Sequence, residues 1–72
     1  MDMSKHKDLI DISNLFERAY RNGNSQKMVV YACQFEKKMD STYLAIWEHM
    51  EDSLKEKELY EEFEKEKEKY SH

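Results

Sequence analysis

The sequence predicts an all-α protein, a small three-helix domain made of two short helices and one long C-terminal helix. Three observations carry this. The 72 residues include no proline and one glycine, Gly23, whereas a compact β domain needs many more turn residues. Charged residues make up 39% of the chain, and most are Glu and Lys, which are good helix formers. Apolar residues recur at spacings of three and four, the period of one helix face.

Residues 1–7 read as a mildly polar, disordered start. The first helix begins at Asp8, in "DLIDISNLFERAYRNGN". Leu9, Ile12, Phe16 and Ala19 form its apolar stripe, widened by Ile10, Leu15 and Tyr20. Arg18 and Arg21 fall in its last turn, where they suit the helix dipole. Gly23 follows and suits a left-handed cap. A hairpin turn at "RNGN" would need strands on both sides, and the upstream side is helical.

Asn24 or Ser25 is positioned to N-cap the second helix, "SQKMVVYACQFEKKM". Met28, Ala32, Phe35 and Met39 share one face. Val29, Val30, Tyr31 and Cys33 make the segment apolar nearly all round, the mark of a central element. Val-Val-Tyr also favours a strand, but the i, i+4 pattern through Met39 favours a helix.

Asp40 or Ser41 offers the next N-cap. From Thr42 to Tyr70 no Gly or Pro stops a helix, which would run roughly 45 Å. With Tyr43 at zero on a helical wheel, Trp47, Met50 and Leu54 fall within about 40° of it. Leu59, Phe63 and Tyr70 fall at about 160–200°, on the opposite side. The first stripe is expected to pack on the first two helices, with Trp47 buried near Phe16 and Phe35. A straight helix carries the second stripe away from that core. A break near Lys55–Glu58 would fold it back, although no Gly, Pro or Asn favours one there. The expected layout is therefore a single domain, 1–72, with a helical core at 8–54 and an acidic helical extension at 55–72. Glu51–Lys55, Glu61–Lys65, Glu62–Lys65, Glu64–Lys67 and Glu66–Lys69 are spaced to support a helix in the extension. No heptad register survives from Tyr43 to Tyr70, which disfavours a long coiled coil.

The net charge of −4 is unevenly spread. Residues 1–39 hold seven Lys/Arg and five Asp/Glu, for +2, and residues 40–72 hold five Lys and eleven Asp/Glu, for −6. An acidic half is a poor surface for phosphate, so direct nucleic-acid binding is not expected. A helix-turn-helix is also disfavoured, because the second helix opens "QKMVVYACQF" in place of polar and basic groove-reading residues. No run approaches the ~20 apolar residues of a membrane span. Cys33 is the only cysteine, which excludes an intrachain disulfide and fits a reducing, cytoplasmic setting. In its apolar run it reads as a small buried hydrophobe.

Residues that would carry catalysis are sparse. His6 and His72 lie near the ends. His49, in "EHMED", has Glu48 and Asp52 nearby but lacks the His pair of a zinc helix and the spacing of a calcium loop. No metal, cofactor or enzymatic activity is expected. The sequence points instead to a small protein that binds and modulates another protein through its acidic C-terminal helix. Leu59, Tyr60, Phe63 and Tyr70 would be the anchors, within a charged surround that includes Glu62 and Glu66. The alternatives are self-association through the second stripe, and an acidic helix that mimics nucleic acid in a basic protein cleft.

Overall fold

A computed structural model describes residues 4–70. The elements are α1 (Ser4–Asn22), α2 (Ser25–Lys38), a 3₁₀ turn (Ser41–Tyr43), α3 (Leu44–Glu56) and α4 (Tyr60–Tyr70). There is no strand among the described residues. The all-α class therefore holds, but the described residues form four α-helices, and the expected long C-terminal helix is two helices joined by an elbow.

α1 starts at Ser4, so residues 4–7, expected to be disordered, are its first turn; residues 1–3 lie outside the described residues. Contacts made late in the sequence hold this turn. Lys5 Nζ is 3.1 Å from Asp40 Oδ2, and His6 Nδ1 is 2.9 Å from the Tyr43 hydroxyl. The buried face of α1 is the stripe of Leu9, Ile12, Phe16 and Ala19.

α1 ends in a Schellman cap. The Asn24 N–H donates to the Ala19 carbonyl and the Gly23 N–H to the Tyr20 carbonyl, with Gly23 at φ 69°. Asn24 then caps α2, its side-chain oxygen accepting from the Lys27 N–H at 3.2 Å. The β-favouring Val-Val-Tyr is helical, because α2 is the centre of the molecule and packs on α1, α3 and α4. Burial on several sides outweighs the small difference in propensity.

Asp40 caps the next segment by accepting from the Thr42 N–H at 2.9 Å. Along α3, Trp47, Met50 and Leu54 are buried as the wheel required. Trp47 stacks on Phe35 at 6.3 Å between ring centres, with Phe16, Met50 and Leu54 in the same core.

The departure lies at Lys57–Leu59. The Leu59 N–H donates to the Leu54 carbonyl at 2.8 Å and the Glu58 N–H to the Lys55 carbonyl at 3.1 Å. This is a second Schellman cap, with Glu58 at φ 59° in the position that Gly23 fills in the first. For a non-glycine residue the left-handed conformation costs roughly 1–2 kcal/mol. Folding α4 back buries Phe63 completely, against Trp47 at 5.4 Å between ring centres. A fully buried Phe contributes about 1.5–3 kcal/mol, and Leu59 and Tyr60 pack on the same core. Burial outweighs the backbone strain, so the chain turns where no residue type signals a turn. The expectation that the second stripe faces away from the core is thus overturned, because Phe63 is core. The result is a body about two helices thick, 38 × 30 × 17 Å.

Candidate functional site

α4 returns along one flank of α2 and does not close fully against it. The open seam is a groove of about 250 Å³. Val29 and Val30 line it from α2, and Leu59 lines it from the elbow. Ser25 and Gln26 close one end at the start of α2, and Glu62 and Glu66, one turn apart on α4, form the acidic wall. The floor is apolar and one wall carries two carboxylates. Glu66 is 3.3 Å from Lys69, whose side chain is largely exposed. Glu62 has no ion-pair partner among the described residues. Farther along the seam, Lys67 ties the helices together, 3.5 Å from both Glu36 on α2 and Glu64 on α4.

The six residues expected to form a binding surface divide between different settings. Leu59, Glu62 and Glu66 come together in the groove. Phe63 is withdrawn into the core and offers nothing to a partner in this conformation. Tyr60 is half-buried at the elbow, donating to Glu51 Oε2 at 3.1 Å with Lys55 Nζ over its ring at 5.3 Å. Its phenol is pushed up to about 12, first by burial and then by the Glu51 hydrogen bond. For Tyr70 the backbone ends α4. Of the paired charges expected along the C-terminal helix, Glu64–Lys67 and Glu66–Lys69 form.

Val29, Val30, Ser25 and Gln26 are site residues that the sequence places only in the second helix. For Val29 and Val30 the signal is the all-round apolar character of that helix. It shows that a further element packs there, without showing how much of the surface that element leaves open.

Cys33 lies beneath the seam, buried, with its sulfur 3.9 Å from the Phe63 carbonyl. Burial pushes the thiol up to about 11, and the Glu66 and Glu36 carboxylates add to the shift. At neutral pH it is a protonated thiol and a poor nucleophile. His49 does not form a metal patch with its own helix. Its Nε2 lies 3.6 Å from Glu17 on α1. No three His, Cys, Asp or Glu side chains come together as a metal site among the described residues, and no described helix is long and apolar enough to cross a membrane. The chain matches no protein family, curated protein or solved structure with which it was compared.

Proposed function

We propose that this chain acts by binding rather than catalysis, as a small module that takes a basic, apolar-anchored segment of a partner protein into the groove between α2 and α4. The observation that carries this is the pairing of an apolar floor, Val29, Val30 and Leu59, with the carboxylates of Glu62 and Glu66 on one wall. A volume of about 250 Å³ falls below the ~300–1,000 Å³ usual for small-molecule sites. It suits one large aliphatic side chain of a docked peptide. An amphipathic segment with Lys or Arg one turn from that anchor would place its cation against the two carboxylates. The net charge of −4 favours a cationic partner at longer range as well. Mimicry of nucleic acid has weaker support, since Lys67 and Lys69 sit among the carboxylates of α4.

The test uses two synthetic helical peptides with the same Leu spacing, one with Lys and one with Glu at the polar positions. Binding is followed through the methyl NMR signals of Val29, Val30 and Leu59. The Lys peptide is expected to shift these three selectively. Replacing Glu62 and Glu66 together with Lys should abolish the shifts while the helical circular dichroism stays unchanged. Equal binding of both peptides, or binding that survives the double replacement, would remove the groove as the site.

A further inference from the structure

The elbow at Lys57–Leu59 leads directly into the segment that buries Phe63. Three features meet there. Glu58, at φ 59°, is the one non-glycine residue with positive φ among the described residues. Lys57–Leu59 is a connection of three residues, and the sequence on both sides is helix-forming with no Gly or Pro. The segment beyond it buries one large apolar side chain, Phe63, against Trp47 of α3, with the Phe63 carbonyl 3.9 Å from the Cys33 sulfur of α2. A short, strained hinge followed by a self-contained plug is the arrangement that favours exchange of an element between copies.

We infer that the slot bordered by Trp47 and Cys33, which holds Phe63 in the monomer, is a binding surface for α4 of a second copy of this chain, giving an exchanged dimer. In that dimer residues 57–59 straighten, and α3 and α4 become one helix from Leu44 to Tyr70, about 40 Å long. Each copy then places its Phe63 in the slot of the other. Beyond Tyr60, the contacts made by α4 in the monomer are made again between copies, so the exchange keeps the burial of Phe63. It removes the left-handed strain at both Glu58 residues and adds helical backbone hydrogen bonds through both elbows. The opposing factor is the lost freedom of two molecules held as one, which makes the dimer concentration-dependent. The closing contacts of the elbow favour the monomer. These are the Tyr60–Glu51 hydrogen bond and the Lys55 cation over the Tyr60 ring, and both are local enough to break with the hinge.

The inference stands apart from the groove, since it needs no other partner and concerns the apolar slot. Its test uses the full chain alone. The protein is refolded from denaturant at low and at high concentration, and its mass is measured by light scattering. A dimer fraction that grows with refolding concentration is expected, with slow return to monomer on dilution because α4 must leave its slot. Glu58→Gly relieves the strain in the monomer only. It should lower the dimerisation constant by about 5-fold per hinge, or about 25-fold for the two. Glu58→Ala keeps the strain and raises helix propensity, so it should increase the dimer. Mixing isotopically labelled and unlabelled chains during refolding gives the structural readout. The Trp47–Phe63 ring contact must then appear between chains. Monomer at every concentration overturns the inference, as does a dimer in which that contact stays within each chain. A dimer indifferent to Glu58→Gly does so too.

Discussion

Phe63 decides how the C-terminal third of this chain folds. It is fully buried, and its ring lies 5.4 Å from Trp47 and 5.6 Å from Tyr60. Removing it leaves a cavity at the junction of three helices. Phe63→Ala is expected to destabilise the chain by roughly 3–5 kcal/mol, against about 4–10 kcal/mol for a whole domain of this size. Urea denaturation should show the loss as a lower midpoint. An unchanged midpoint would place Phe63 outside the core. Asp40 acts at the same scale with a sign that can be worked out. The Thr42 backbone N–H, and then Lys5, hold its carboxyl below the ordinary value. A lowered folded-state pKa means that its contribution is present above the ordinary Asp value of about 3.9 and is lost as pH falls through the folded value. Asp40→Ala should therefore lower the melting temperature near neutral pH and leave it unchanged near pH ~2. A difference that persists in acid would assign the effect to something other than the carboxylate.

At the scale of elements, the two Schellman caps form a matched pair with different residues in one conformation. Gly23 has φ 69°, and a Cβ built there meets nothing within 4 Å. Gly23→Ala should therefore cost about 1 kcal/mol through backbone conformation alone. Glu58→Gly is the inverse change, and it should stabilise the monomer by about 0.5–1 kcal/mol after the added freedom of the unfolded chain is counted. Chemical denaturation of the two variants should move the midpoint in opposite directions. Movement in one direction would mean that the second cap is not under strain. The same pair shows what the sequence makes legible. α1, α2 and the buried face of α3 follow from apolar spacing and from Gly23, Asn24 and Asp40, each of which performs the capping its type suggests. The elbow does not, because local preference at "KEKE" favours continued helix. What overrides it is burial of a residue five positions beyond Glu58, against side chains sixteen and thirty positions back along the chain. The half-turn shift between stripes was nevertheless a signal. Two apolar faces on opposite sides of one straight helix cannot both reach one core, and folding back resolves this without a partner. The groove was legible only in part. Leu59, Glu62 and Glu66 stood out as apolar and acidic residues on the last segment, whereas Val29 and Val30 join them only once the chain has turned.

For the whole molecule, the consequence is that the acidic C-terminal segment belongs to the domain. A chain of 72 residues buries only about 60% of its unfolded surface, and here α4 packs along one flank of the central helix. A chain ending at Leu59 would lose the Phe63 plug, the Tyr60–Glu51 hydrogen bond and the Lys67 bridge to Glu36 at once. With α4 absent, Trp47 and Cys33 lose the residue that covers them on that flank. The loss attached to Phe63 alone approaches the stability of the whole domain, so the shortened chain should have no cooperative thermal transition and much reduced helical circular dichroism. Cys33 supplies an independent reporter. In the full chain it is buried and protonated at neutral pH, so a thiol reagent should reach it only when α4 opens. In the shortened chain it should react at the rate of an unfolded thiol. Glu58→Gly, by holding α4 closed, should slow the reaction below that of the unaltered chain. A shortened chain that melts cooperatively, with its thiol still protected, would show that residues 4–59 form the domain and that α4 is an appendage to it.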